Sequence, residues 1–423
     1  MKNRILSYIF LVIIVFLAFD TGFVSEFEKL ISSVSAEMSE YYTRSEWEKN
    51  IDSNPQFNVP SLSITVDNII ANCDKEIVDE CSLDTMMAET CGVALKVIGN
   101  RGYYSDQDEF LYFTESGYCV YRADYNTVEY ELDQMKKFKQ FLDNKGVKLL
   151  YVNEPSKYVD DIYFLNQFGK QSFLNDNMNR FLAGLDNAEI KYLDLRESAL
   201  NDGIDVMEMF YRTDHHWNVP AAKWAAEKIV NEMNKDFSFN FDSSIYDNSK
   251  YIVTNFEKSW LGEQGRKMSK SYTGMEDYTV IKPNFETKYT INNSDGTSYS
   301  ASFDDFVMTN VYLSTASPYT STSWHYSYEI PYGANICNDN VTEGKILVLG
   351  DSYEACLLPF LSLGVQSINY ACLRDTDMTA EEIVEMGDYD VVIMAYAQFM
   401  VGAHDTENNP NYNMFNLARG DKL

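Results

Sequence analysis

The stretch Ile346-Leu347-Val348-Leu349-Gly350-Asp351-Ser352 decides the reading of the fold. An apolar run ends at a glycine, and an apolar helical segment, Tyr353 to Leu363, follows at once. This is the pattern of a buried strand that feeds a helix through a tight turn. The same rhythm extends to both sides. Downstream, Val365–Tyr370 reads as a strand, Thr379–Met386 as a helix and Val391–Tyr396 as a strand. Upstream, Val128–Lys145 sets Leu132, Met135, Phe138 and Leu142 on one helical face, and Gly146 stops it. Val147–Val152 is the next strand, Ser172–Leu185 a helix, and Ile190–Leu195 a strand. A third helix follows Asn218, with Ala222, Ala225, Ala226, Ile229, Val230 and Met233 as its buried face. Strands alternating with helices predict an α/β fold with a mostly parallel sheet covered on both faces.

Around this core the chain changes character. Residues 238–342 are rich in Ser, Thr, Asn and Tyr in alternating stretches such as Tyr289-Thr290-Ile291, and read as a β- or loop-rich insertion. The α/β domain is therefore discontinuous, 96–237 and 343–400. Residues 25–95 read as a polar stalk with irregular structure, and 401–423 as a polar tail. At the start, Lys2 and Arg4 precede the apolar run Ile5–Phe19. That pattern in residues 1–24 fits an uncleaved membrane anchor or a signal peptide. The bulk of the chain is expected outside the cytoplasmic membrane, held by a single-pass anchor, or secreted if the segment is cleaved.

The net charge of −30 argues against a nucleic-acid partner, because phosphates would be repelled. Seven cysteines are too few and too irregular for a disulfide scaffold. Cys73, Cys81, Cys91 and Cys119 fall in one region and could form one or two bridges in an exported protein. No C-x-x-C pair or histidine-rich cluster points to a metal, and no cofactor is expected.

Two segments carry chemistry. Ser352 sits where a strand ends and a helix begins, the place where open α/β sheets bind ligands. Its hydroxyl can be exposed, and its N–H at a helix N-terminus can donate to an anionic oxygen. The second segment is Tyr211-Arg212-Thr213-Asp214-His215-His216-Trp217-Asn218, which holds two of the four histidines. Asn218 is a good N-cap and Pro220 suits a first helical turn. The positive end of that helix disfavours imidazolium and keeps a histidine neutral, as a general base must be. Asp214 can orient a ring and stabilise the cation formed during proton transfer. Taken singly, the first segment also fits an ordinary turn with a capping serine, and the second a polar loop.

Together the two segments supply a nucleophile, a base and an orienting carboxylate. Gly350-Asp351-Ser352 resembles the nucleophile block of the SGNH hydrolase superfamily, whose fold is flavodoxin-like. The usual late Asp-x-x-His is missing, since Val401 stands three residues before His404. Instead, Asp214-His215-His216-Trp217 resembles the DHHW family, and is similar to the Asp-Thr-His-Trp segment of the periplasmic alginate O-acetyltransferases. The resemblance implies Ser352, His216 and Asp214 as the catalytic residues, with His215 at a threonine position. It implies an oxyanion site at Ser352 and Gly350. One element departs from the pattern: Tyr396-Ala397-Gln398 stands where the DHHW group often has Tyr-Asn. Gln398 is a candidate replacement donor, although strand alternation points it elsewhere. Arg374 is a candidate contact for the substrate or an ion-pair partner of Asp375. Trp217 either stacks on a sugar or is a buried structural residue.

The expected activity is an extracytoplasmic serine-dependent O-acetyltransferase, acting on a cell-surface polysaccharide through an acyl-serine. By the same resemblance, a multi-spanning membrane acyltransferase would deliver the acyl group. The alternatives are a carbohydrate esterase with the same triad and a non-catalytic polysaccharide-binding or assembly protein on a decayed SGNH fold.

Overall fold

A computed structural model describes residues 82–97, 99, 101–104, 110–158, 165, 169, 171–307, 333–405, 407 and 409–419. The chain divides into two compact units, residues 1–98 and 99–423. In the first unit the described element is helix α1 (Ser82–Val97). It falls in the stretch read as irregular: Gly92 at mid-helix and the β-branched Thr85 and Thr90 weaken its local signature. The apolar run Ile5–Phe19 lies outside the described residues, as do Cys73 and Cys81. No described helix is long and apolar enough to cross a membrane. Cys91 and Cys119 carry free thiols, and Cys119 is buried with its sulfur 3.8 Å from that of Met268.

The second unit is built on an eight-stranded sheet. Its strands are β4 (Lys148–Glu154), β5 (Tyr192–Asp194), β8 (Tyr289–Asn292), β9 (Ser298–Ala301), β10 (Asn335–Asn338), β11 (Lys345–Gly350), β12 (Ser367–Ala371) and β13 (Val391–Ala397). Three short strands, β1 (Gly102–Tyr104), β2 (Phe110–Phe113) and β3 (Cys119–Tyr121), form a separate antiparallel sheet, and β6 (Tyr251–Trp260) pairs with β7 (Glu276–Pro283) in a hairpin. The large sheet runs β5-β4-β13-β11-β12-β10-β8-β9. From β5 to β12 all pairings are parallel, whereas β10, β8 and β9 continue it antiparallel. The mostly parallel sheet read from sequence therefore holds for five strands, and three strands of the region 238–342 extend it with the opposite sense. The alternation along β8 explains why: Tyr289 and Ile291 are buried while Thr290 and Asn292 are not, the one-sided pattern of an antiparallel sheet.

Helices cover both faces of the parallel part. On one face Tyr151 meets Phe181 of the helix Leu174–Asn187 at 5.1 Å between ring centres. On the other, Lys148 Nζ donates to the Phe237 carbonyl at the end of the helix Val219–Phe237. Beyond the parallel part, Asn338 of the antiparallel strand β10 donates to the Ser362 carbonyl of the helix Glu354–Gly364. The central strand β13 is buried over its whole length, as expected of a strand covered twice. The C-terminal segment also joins this core. Met414, Phe415 and Leu417 are buried, and the Phe415 ring contacts Phe181 and Tyr396. Its three anchors are too sparse to show a period, so in sequence it looked like a polar tail.

Glu131 ties the same segment down. It is buried in the helix Glu129–Lys145 and accepts the Gly402 N–H at 3.0 Å. Burial raises its carboxyl to about 7, from a usual 4.5. A raised carboxyl favours the folded state at low pH, and that contribution is lost as pH rises from 4.5 through 7. Glu131→Gln should therefore flatten the fall in thermal midpoint over this interval relative to the parent protein. An unchanged pH profile would contradict this assignment.

Candidate active site

Two loops meet at the C-terminal end of the parallel strands. The first is the turn after β11. Asp351 is fully buried, and its carboxylate accepts the Tyr353 N–H at 3.0 Å and the Ala397 N–H at 2.8 Å. Glu354 folds back and accepts the Asp351 N–H at 2.6 Å. Gly350 is required for this, because a Cβ there would lie 2.3 Å from the Glu354 carboxyl carbon. The Asp351 and Tyr353 amides are thus engaged, while the Ser352 N–H has no partner among the described residues. Ser352 itself is half-buried, so its hydroxyl is reachable.

The second loop runs from Phe210 to Trp217, which pair as an isolated antiparallel bridge. Asn218 N–H bonds to the Met209 carbonyl at 2.8 Å and closes the loop. The Asn218 side chain then accepts the Ala221 N–H at 3.0 Å and caps the helix Val219–Phe237, as its sequence position predicted. Asp214 Oδ1 accepts both the His216 backbone N–H at 3.0 Å and His216 Nδ1 at 2.7 Å. The other ring nitrogen, Nε2, lies 2.7 Å from Ser352 Oγ. With Nδ1–H given to Asp214, Nε2 is left to accept the serine proton, the tautomer a general base needs.

Burial alone would raise Asp214, but the hydrogen bond and charge of His216 outweigh it and hold the carboxyl well below the usual range. Asp214 is therefore an ionised group only 4% exposed. A buried charge is tolerable only if fully hydrogen-bonded. Its second oxygen supplies the remaining bond by accepting the Glu263 N–H at 2.8 Å. Gly262 lets this approach happen, since a Cβ there would sit 2.3 Å from Asp214 Cβ. Behind the loop, Glu276 accepts the Arg212 and Thr213 N–H groups at 2.7 and 2.8 Å and a short bond from Thr213 Oγ1. Lys157 Nζ, also buried, bonds to the Arg212 carbonyl and to Gln264.

The two loops are stitched together beyond the Ser352–His216 contact. Trp217 Nε1 donates to the Tyr353 carbonyl at 3.1 Å, and Tyr353 Oη donates to the His215 carbonyl at 2.6 Å. Trp217 is completely buried, so the structural role holds for it and the sugar-stacking role does not. Gln398 is also taken out of the oxyanion role. It is 1% exposed, its amide donates to Asn175 and its carbonyl faces the Ser156 N–H. Ala397 contributes only its backbone. Arg374 bonds to Asn411 at 2.8 Å and pairs with Asp375 at 3.6 Å, while keeping 31% of its side chain exposed. The ring of His215 packs against that of His216, 3.8 Å between centres and tilted by 39°, and burial followed by the His216 charge pushes its basicity down. It contacts no serine and is not placed as the base.

Two groups of side chains bring potential metal-ligating atoms within 4.8 Å: Asp214, His215 and His216, and Glu154, Asp351 and Glu354. In the first, both Asp214 oxygens and both His216 nitrogens are already engaged. In the second, burial and then mutual repulsion raise Glu154 and Glu354 well above the usual carboxylate range. Both shifts favour the protonated form of these two acids.

Residues 106–249 match the family described as an SGNH hydrolase-like domain, acetyltransferase AlgX. The resemblance drawn from the two motifs stands. Among solved structures, Bacillus cereus PatB1 with a sulfonyl adduct is similar, with 19% identity and a TM-score of 0.56, over 73% of this chain and 98% of that one. A DHHW family protein from Eubacterium siraeum is similar at 14% identity and a TM-score of 0.53, over 75% and 98%. At these identities the likeness is one of fold. No curated protein matches the chain in sequence.

Sequence reasoning missed Gly262, Glu263 and Glu276, which hold Asp214 in place. Gly262→Ala is the sharpest test of that role. The new methyl must displace Asp214, and a shift near 1 Å at a catalytic group costs about 100-fold in rate. Steady-state turnover of a short-chain acyl ester should fall by that order while the thermal midpoint stays within a few degrees. Unchanged turnover would show that Asp214 is not held from this side.

Proposed function

We propose that this chain is a serine-dependent O-acetyltransferase that modifies a cell-surface polysaccharide outside the cytoplasm. The observation that carries the reading is the unbroken chain Asp214–His216–Ser352, with both links at 2.7 Å. In the first half-reaction Ser352 Oγ attacks the acyl carbon of the donor while its proton passes to His216 Nε2. The carbonyl oxygen becomes an oxyanion facing the Ser352 N–H, with the Gly350 N–H as the second donor implied by the resemblance. The tetrahedral intermediate collapses, the donor's leaving group takes the proton from His216, and an ester remains on Ser352. In the second half-reaction a sugar hydroxyl gives its proton to His216 and attacks that ester; the bond from Ser352 Oγ to the acyl carbon then breaks, and Ser352 takes the proton back from His216. Asp214 keeps its charge throughout and stabilises the imidazolium.

The SGNH hydrolase-like acetyltransferase match supports transfer over hydrolysis. Export and anchoring rest on the sequence of residues 1–24, and the acyl donor would come from a multi-spanning membrane partner. The side-chain oxyanion donor of related enzymes is replaced by Ala397, and a missing donor of this kind typically lowers the rate about 100- to 1,000-fold. A slow enzyme is the expectation.

Ser352→Ala and His216→Ala should each reduce turnover of short-chain acyl esters by on the order of 1,000-fold or more. With an oligosaccharide acceptor present, the parent protein should yield acylated sugar, detected by mass spectrometry. Free acid as the sole product at every acceptor concentration would favour a carbohydrate esterase. Full activity of Ser352→Ala would end the serine mechanism.

A further inference from the structure

Among the described residues, one face of the antiparallel half of the sheet borders an open cavity. The buried face carries Tyr289, Ile291, Ile336 and Ile368 against the helix Glu354–Gly364. The opposite face is mostly polar, with Cys337 and Ala371 as its exceptions. The strand registers place Asn292, Asn335 and Asn369 side by side across β8, β10 and β12. The next row along the same strands is Thr290, Cys337 and Ser367. A cavity of about 780 Å³ lies over this face, bounded on its far side by Ile383, Met386 and Tyr389. That volume falls within the range of ligand sites.

We propose that this groove binds an uncharged stretch of glycan. Three observations point to that occupant. Asn335 Oδ1 is buried there and unpartnered, an acceptor that lacks the hydrogen bond such atoms almost always make. The charges at the groove are already paired, Lys345 with Asp388 at 2.7 Å and Asp339 with Lys288 at 3.2 Å. Asn292 and Thr290 are already bonded to Ser298 and Asp339, and what remains along the cavity are the amides of Asn335 and Asn369 and the Ser367 hydroxyl, groups that both donate and accept, as the hydroxyls of a sugar chain do. Finally, a chain of net charge −30 repels an anionic polymer.

The groove also leads towards the reaction centre. It runs along β12 to Ala371 and Thr376, towards the C-terminal ends of the parallel strands where Ser352 lies. A polymer held on the amide ladder would therefore be presented to the acyl-serine at one end. This assignment names the acceptor class for the transferase reading and rests on it for that purpose, but binding is measurable without turnover.

The test is calorimetric titration of the full chain with cellohexaose, mannohexaose, chitohexaose and an oligogalacturonate. At least one neutral hexaose should bind the parent protein and Ser352→Ala equally, and the galacturonate should bind neither. Asn369→Leu should weaken that binding about tenfold or more, the cost of hydrogen bonds lost in a buried setting. Ser367→Trp, which fills the groove without removing an amide, should do the same. Both variants should raise KM for a glycan acceptor and leave kcat/KM for a small acyl ester unchanged. Absence of binding to every neutral hexaose, or binding indifferent to both substitutions, would overturn the proposal. Binding without any ester turnover in the parent protein would support the groove and count against the transferase reading.

Discussion

The site depends on keeping one carboxylate, that of Asp214, ionised in an interior where ionisation is costly. Its two oxygens accept two bonds from His216 and one from the Glu263 amide, and that set of donors makes the charge tolerable. Much of the local architecture follows from the need to bring them together. The loop is bridged at Phe210 and Trp217, the helix after it is capped by Asn218, and Gly262 makes room for the chain that brings Glu263. Glu276 takes the amides just ahead of Asp214, so the loop has little freedom to swing away.

The parallel sheet does the other half of the positioning. Ser352 is the second residue after β11, and the Ala397 amide at the end of β13 anchors Asp351 beside it. Trp217 and Tyr353 then fasten the histidine loop to the serine turn by two hydrogen bonds, each to a backbone carbonyl. His216 and Ser352, 136 residues apart in sequence, meet at hydrogen-bond distance because three hydrogen bonds join the two loops rather than one. Among the described residues, the antiparallel extension adds a mostly polar face that borders a cavity.

The parts legible in the sequence are those where residue type and chemistry coincide. An apolar strand ending in Gly-Asp-Ser, and an Asp two residues before a His, can be recognised because no other side chains do the same work. The α/β rhythm was legible for the same reason, as its core-facing positions must be apolar. Gly262 and Glu263 were not legible: Glu263 acts through its backbone N–H, which almost any residue could supply. Glu276 is one of 64 acidic residues, and its role depends on β7 passing behind a loop 63 positions earlier. The strands β8, β9 and β10 showed their alternation, but a period of two does not say which sheet a strand joins. Trp217 and Gln398 have polar atoms suited to a ligand, and the fold uses those atoms to bind itself.

The central claim is that Ser352, activated by His216, takes the acyl group. Its most direct test is intact-protein mass spectrometry after the parent chain is mixed with an activated acetyl ester and quenched in acid. The account predicts a single acetyl group, mapped by peptide sequencing to Ser352 and lost in His216→Ala. An acetyl group on another residue, or none while ester is being turned over, would contradict it.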